Sequence, residues 1–276
     1  MDFLKISNLR YYMISSMIKS KVKKIDLSKN SVKHVEELVA TEAPIDIFMN
    51  DTRVATLHCS PTNLEELGIG WLLSHAVIAS VDEVDDVKAG DNDVRINCRR
   101  KAEAQNKAVQ ITKCVHSSYD SAVEGFPSSF DKITTPFVSS DYKIEAENIL
   151  RYVKVLNEKS SIFKSTGGTH SAAIFYRGRL VAFAEDIGRH NAVDKAIGIT
   201  AKKKIRFSTC TMISSGRQPA NMVMKAARTG VPILASVAAP IHSGIDVAVK
   251  TGVTLVCFAR GQRMNVYSHP ERVKMN

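Results

Sequence analysis

Cysteine is scarce in this chain and never clustered. Five occur among 276 residues, at positions 59, 98, 114, 210 and 257. An odd number at wide spacing, with no C-x-x-C pair, argues against a disulfide framework and a Cys-type zinc site, and for the reducing cytoplasm. Long apolar runs are missing too. No run approaches the roughly 20 residues that cross a bilayer, which argues against a membrane partner. The lysines and apolar patch near Tyr11–Ile18 are followed by no small-residue cleavage site, which argues against secretion. Aromatic residues are not interleaved with basic ones, so the sequence offers no platform for stacked bases.

What is abundant is positive charge. The formal net charge is +10. Between Met1 and Val35 stand eight Lys or Arg and two Asp or Glu, so +6 of the total falls there. A basic segment on a nearly balanced body reads as a solvated or interaction tail rather than a nucleic-acid groove. The charge also suits an anionic ligand.

Hydrophobic patterning then divides the chain. Pro44–Asn50 and Thr52–His58 read as strands around an Asn50-Asp51 turn. Thr62 and Glu65 have capping-box spacing before a helix carrying Leu64, Leu67, Leu72 and Val77. Short strands are expected near Val94–Cys98 and Ala108–Thr112. Lys113 to Asp141 is a long loop, rich in Ser, Pro, Gly and Asp, that carries Cys114. An amphipathic helix is expected over Tyr142–Ser160. A hairpin follows, Ser171–Tyr176 and Arg179–Ala184, turning at Arg177-Gly178. Then come a helix from about His190 to Ala201, a strand at Cys210–Ser214 and a helix from about Pro219 to Thr229. The last elements are a strand at Val231–Val237, a helix at about Ser243–Lys250 and a strand at Val253–Ala259.

Helix, antiparallel hairpin, then βαβαβ implies an α/β fold: a three-layer mixed sheet whose first strand opposes the others. A smaller N-terminal α/β subdomain precedes it. The expected divisions are a basic tail at 1–35, the subdomain with the Cys114 loop at 36–140, and a ligand-binding domain at 141–276.

Ligands bind such sheets at the carboxyl ends of the parallel strands. Five segments are expected at that edge: Ser165–His170, Glu185–Asn191, Ser215–Gln218, Ala238–Ser243 and Arg260–Asn265. Between Glu185 and Lys195 the sequence crowds Glu185, Asp186, Arg189, His190, Asn191, Asp194 and Lys195 together, which reads as one wall of a cleft. Gly167-Gly168 is a candidate anion nest, with Thr166 and Thr169 as further donors. Ser214, Ser215, Gly216 and Arg217 lie at a helix N-terminus that suits phosphate. Arg189, Arg260 and Arg263 add positive charge. Glu185 and Asp186 would orient those arginines or accept from a base edge. Simpler accounts also fit: Gly-Gly as a turn, Arg189–Glu185 as a structural ion pair, and His190–Asp194 as a helix-surface pair. Cys114, with Lys113 and His116 nearby, is either a sulfur-carrying thiolate or an ordinary cysteine at a strand end.

Several long motifs, in order, are similar to those of the FdhD family of formate dehydrogenase accessory sulfurtransferases. They are "STGGTHSAAIF", "AEDIGRHNAVDKAIG", "SSGRQPANMVMKAARTGVPILASVAAP" and "GVTLVCFARGQRMNVYSHPERV", with "APIDIFMNDTRVATLHCSPTNLEELGIGWLLSHAVI" upstream. The resemblance spans roughly Val39 to Val273 and implies a cytidine-deaminase-like fold and a homodimer. It implies a sulfurtransferase that takes persulfide sulfur from a cysteine desulfurase. That sulfur would pass to the molybdenum bis(guanine dinucleotide) cofactor of formate dehydrogenase, a bound substrate rather than a resident metal. Cys114 would carry the sulfur. By the same resemblance, Phe258, Ala259, Arg260, Gly261, Gln262 and Arg263 would contact the guanine-nucleotide-like ligand, with His170, Thr166 and the cleft residues above beside them.

The match has two departures. Many family members carry C-x-x-C where this chain has "KCVHSS", so Ser117 replaces the second cysteine. The acid that usually follows the Ser-Gly-Arg motif is Asn221 here. A cofactor chaperone without sulfur chemistry is therefore the alternative. Zinc-dependent deamination is excluded, because "RHNA" and "GRQPANM" lack the His or Cys, Glu and P-C-x-x-C that it requires.

Overall fold

The computed structural model describes residues 16–99 and 136–275. Two strands open the described chain, β1 (Met17–Asp26) and β2 (Ser31–Ala40), paired antiparallel over their full length. These residues belong mostly to the segment read as a solvated tail. Alternating Lys and β-branched residues explain the difference: β1 sets Val22 opposite Val35 and Ile18 opposite Val39, and such pairs favour strands. Across the ladder Lys24 reaches Glu37 at 2.8 Å.

A four-stranded sheet follows, in the order β4-β3-β6-β5, built from β3 (Ala43–Met49), β4 (Thr52–Cys59), β5 (Val84–Ala89) and β6 (Asp93–Cys98). Asn50 and Asp51 both take positive φ, 47° and 65°, the turn geometry that suits a two-residue hairpin. Helix α1 (Leu64–Ser74) covers the sheet. Its predicted capping box does not form: Asn63 is the N-cap, in the left-handed region and without a side-chain bond. The Thr62 hydroxyl instead accepts from Lys195 at 3.4 Å.

The larger sheet has six strands in the order β13-β12-β11-β10-β8-β9. Its members are β8 (His170–Tyr176), β9 (Arg179–Asp186), β10 (Cys210–Ser214), β11 (Ile233–Ser236), β12 (Thr254–Arg260) and β13 (Arg263–Val266). Strands β10, β11 and β12 run parallel, and β8 pairs antiparallel with β10, as the order of elements predicts. Strand β13 was not expected; Gly261-Gln262 turn the chain back so that Arg260 pairs with Arg263.

Side chains alternate across this sheet. Ala173, Phe175, Ile213, Ala235 and Val256 face α2 (Ala146–Lys159). Ile174, Met212, Leu234 and Leu255 face the other way, in a core shared with α4 (Arg189–Lys202), α5 (Ala220–Thr229), α6 (His242–Thr251), α1 and the smaller sheet. Helix α2 starts later than expected, because Ile144–Glu145 (β7) pairs with Val273–Lys274 (β14). A one-and-a-half-turn helix, α3 (Ser161–Thr166), joins α2 to β8. Among the described residues no helix is long and apolar enough to cross a membrane.

Candidate functional site

Strands β10, β11 and β12 run parallel and so end at one edge, but several of the residues expected there serve the scaffold. Asp186 ends β9 fully buried and is surrounded by donors. Lys195 Nζ lies at 2.6 Å, the Ser60 amide at 3.1 Å, the Gly188 amide at 2.8 Å and Asn191 Nδ2 at 3.0 Å. Lys195 also donates to the Ser60 carbonyl at 2.8 Å. Immediately before Lys195 in α4, Asp194 receives Lys225 at 2.8 Å and the Ser74 hydroxyl at 2.7 Å. Asp186, Asn191 and Lys195 are therefore internal and tie the end of β4 to the start of α4, while Asp194 ties α4 to Ser74 of α1 and Lys225 of α5, correcting the reading of the whole crowd as a cleft wall.

Glu185 is likewise turned inward. Its carboxylate accepts from the amides of Ile162 and Phe163, at 3.1 and 2.8 Å, and from the Thr169 hydroxyl at 3.1 Å. It caps the first turn of α3, where a negative charge meets unsatisfied amides. The proposed nest is also taken up locally. The Gly167 amide donates to the Phe163 carbonyl at 2.7 Å, and the Gly168 amide to the Thr166 hydroxyl at 3.1 Å. Gly167, at φ 68°, is the left-handed C-cap of α3, so the turn reading holds and the anion nest does not.

What does converge is a cationic corner. His170, at the start of β8, has its Nδ1 3.2 Å from the Ser215 hydroxyl, which accepts from the Ser171 amide at 2.9 Å. Burial, then the charges of Arg189 and Arg217, lower the pKa of His170. His190 is held well below its ordinary value by burial, then by Lys225, Arg189 and His170. Both imidazoles are thus neutral near pH 7, and the positive charge belongs to Arg189 and Arg217. Arg217 is exposed. Gly216 allows this approach, because a Cβ there would lie 2.8 Å from the Arg189 Cβ. Behind the corner, the Gly216 carbonyl accepts from Gln218 and Ser236, both at 2.7 Å.

The segment from Phe258 to Arg263 divides in two. Ala259 is buried and Phe258 half-buried, whereas Arg260, Gly261, Gln262 and Arg263 are exposed at the sheet edge. A bulge interrupts the β12–β13 ladder there and holds Phe258 at φ 54°, an uncommon conformation for a bulky residue. The Phe258 amide donates to the Ala238 carbonyl at 3.1 Å, binding this loop to the one after β11.

Cys114 and Ser117 lie outside the described residues. The other four cysteines are all buried. Burial raises the thiols of Cys59, Cys210 and Cys257 to about 12 and that of Cys98 to about 11. None of these four is a ready nucleophile, since the thiolate is the reactive form.

Sequence reasoning missed the part played by Ser60 and Thr62 in holding Lys195. It also missed a basic groove beside Arg260, lined by Arg151, Lys154 and Lys164. For the groove the signal was present: Arg151 and Lys154 are three apart on the polar face of α2.

Fold and site together define an α/β protein with a cationic corner, Arg189 and Arg217 beside His170, at the carboxyl edge of a mixed sheet. The FdhD/NarQ family model matches residues 40–274, and the chain belongs to that family. It is 35% identical over 241 residues to the sulfur carrier protein FdhD of Methanothermobacter thermautotrophicus, covering 87% of this chain and 93% of the relative. The protein of that name from Sulfolobus acidocaldarius is 34% identical over 244 residues, with 87% and 92% covered. A crystal structure of a candidate formate dehydrogenase accessory protein from Desulfotalea psychrophila superposes with a TM-score of 0.76 at 25% identity. That match covers 94% of this chain and 100% of the other.

Proposed function

We propose that this protein is a sulfur carrier and sulfurtransferase that holds a persulfide on Cys114. The observation that carries the reading is the state of the other thiols: of five cysteines, four are buried with thiols raised to about 11 or 12. In the loading step the Cys114 thiolate attacks the outer sulfur of a persulfide on a cysteine desulfurase. The donor's own thiolate leaves, so no external oxidant is needed. The relatives' name, sulfur carrier protein, supports this role.

The acceptor in this reading is the molybdenum bis(guanine dinucleotide) cofactor destined for formate dehydrogenase, bound as substrate. The Arg189, Arg217, His170 and Ser215 corner suits its phosphates, since guanidinium groups bind them bidentately. The exposed Arg260 to Arg263 turn offers further charge. A cytidine-deaminase-like layering, a homodimer and a cytoplasmic location complete the proposal.

Intact-mass spectrometry after incubation with an active cysteine desulfurase and cysteine tests it. A gain of one sulfur, about 32 Da, that is lost on reduction and absent from Cys114→Ala supports the carrier, as expected of a reactive thiolate. No adduct on Cys114 rejects sulfur transfer. The cofactor chaperone, which the serine at position 117 favours, then becomes the better account.

A further inference from the structure

Strands β1 and β2 form a two-stranded sheet of their own, and no residue of either strand is buried. At the base Ala40 lies against Gly168, where a Cβ would stand 3.1 Å from its own. From that end the arms, at about 3.4 Å per residue, carry the turn about 30 Å away. A two-stranded hairpin is marginal in water, so its far end calls for something to rest on.

That end has a segregated chemistry. Ile25 and Val32 share a rung of the ladder, and Leu27 stands in the turn. They are 59%, 56% and 91% exposed. Around them Lys23, Lys24, Lys29 and Lys33 are accompanied by one acid, Asp26, an excess of three positive charges. The Asp26 carboxylate serves the turn itself, accepting from the Ser28 hydroxyl at 2.6 Å and the Lys29 amide at 3.2 Å. Lys24 and Lys33 stand directly opposite each other, a like-charge rung that costs stability and that an anion laid across it would relieve. Lys24 leans away to Glu37 at 2.8 Å, whereas Lys23 and Lys33 make no ion pair among the described residues.

The kind of residue narrows the partner. Lysine on an edge strand discourages aggregation, but that account leaves the three aliphatic side chains at the tip unexplained. From Met17 to Ala40 there is no Arg, Phe, Tyr or Trp. Protein interfaces are enriched in arginine and aromatic residues and depleted in lysine, and stacked bases need aromatic platforms. A second copy would set excess positive charge against excess positive charge. Aliphatic tips among long lysine stems suit a bilayer, where the apolar groups enter the headgroup boundary and the ammonium groups stay among phosphates.

We propose that the β1–β2 hairpin docks peripherally on an anionic lipid bilayer, inserting Ile25, Leu27 and Val32 and holding Lys23, Lys24, Lys29 and Lys33 at the headgroups. The want of a long apolar run excludes a bilayer-crossing helix and leaves such surface docking open.

Vesicle flotation with the full chain tests it, using phosphatidylcholine alone and equal parts phosphatidylcholine and phosphatidylglycerol. The protein should float with the anionic vesicles and not with the neutral ones. It should leave them in about 1 M salt, where the screening length falls to about 3 Å. Leu27 lies outside both strands, so Leu27→Glu keeps the ladder; it should weaken binding about tenfold or more, the worth of one buried leucine side chain. Lys23→Gln/Lys33→Gln should weaken it by about fivefold per lysine. Equal flotation with both vesicle types, or a Leu27→Glu variant that floats like wild type, overturns the proposal. A wild type that ignores both vesicle types overturns it too, and a mass that halves in Leu27→Glu at sedimentation equilibrium would then assign the tip to a second copy.

Discussion

Lys195 reaches Asp186 at 2.6 Å, and both side chains are completely withdrawn from solvent. Such a pair costs much desolvation, and its geometry survives because Ser60, Thr62, Gly188 and Asn191 satisfy what remains. Removing one partner leaves an uncompensated buried charge. Asp186→Ala should therefore lose about 3–5 kcal/mol of stability, read by urea unfolding. A loss below about 1 kcal/mol, the ordinary worth of an exposed ion pair, would show that the pair does not hold the two halves together.

Glu185 offers a milder test, because its inward-turned carboxylate holds the first amides of α3. Glu185→Ala removes the cap from the Ile162 and Phe163 amides and should cost about 1–2 kcal/mol. Hydrogen exchange at those two amides should accelerate, while core amides of β10 change no more than the global loss requires. Unchanged protection at Ile162 and Phe163 would dismiss the capping role.

Helices α1 and α4 cross where side chains are missing. A Cβ on Gly198 would overlap the Glu66 carbonyl, and one on Gly70 would overlap the Asp194 carbonyl. Neither obstacle is a flexible side chain. Gly198→Ala should accordingly cost about 3 kcal/mol, at the upper end of overpacking penalties, in a chemical denaturation series. Gly167→Ala, with nothing within 4 Å but a φ of 68°, should cost about 1 kcal/mol from backbone strain alone. Equal effects at the two positions would remove the steric argument.

Much of the large sheet was readable because its signals are local. Cys210–Ser214 is a strand with the predicted bounds. Arg177 and Gly178 supply the positive φ values, 48° and 81°, that their hairpin turn needs. The burial of Asp186, Asp194 and Lys195 was not readable. A charged residue in a helix reads as solvent-facing unless its partner is known, and the partners of Lys195 lie up to 135 positions away. The N-terminal hairpin was hidden for a different reason. Its strands are mostly exposed on both faces, so lysine density outweighed the alternation. At the cationic corner, Arg189, Arg217, His170 and Ser215 were legible as a group, whereas Glu185 and the Gly167-Gly168 amides had local partners that spacing could not reveal.

Histidine burial gives the protein a sensitivity to acid. Burial, then Lys225, holds His75 well below 6.5, and His190 is lowered by burial with Lys225, Arg189 and His170 beside it. On unfolding each returns to about 6.5, so below that pH the unfolded chain takes up protons that the fold refuses. Their contribution is fully present above about pH 6.5 and falls with acid, by at most about 1.4 kcal/mol per pH unit for each histidine. Asp194 acts in the other direction, since burial raises its carboxyl above 3.8 and the folded form takes its proton first. Denaturation midpoints between pH 7.5 and 5 should fall for the wild type and less steeply for His75→Gln. An equally steep fall in His75→Gln/His190→Gln would assign the acid limb to other groups.

Thiol chemistry provides the most direct check on the carrier. At pH 8 a thiol raised to about 11 or 12, as for Cys59, Cys98, Cys210 and Cys257, holds a thiolate fraction of about one in a thousand or less, whereas an ordinary cysteine near 8.5 is already partly ionised. Titration of the native protein with an aromatic disulfide should consume one equivalent rapidly, from Cys114, and five only after denaturation. Cys114→Ala should remove the fast phase and leave four slow thiols. A fast phase that persists in that variant would mean that one of the buried thiols becomes reachable by local opening, and the sulfur would then have to be sought there.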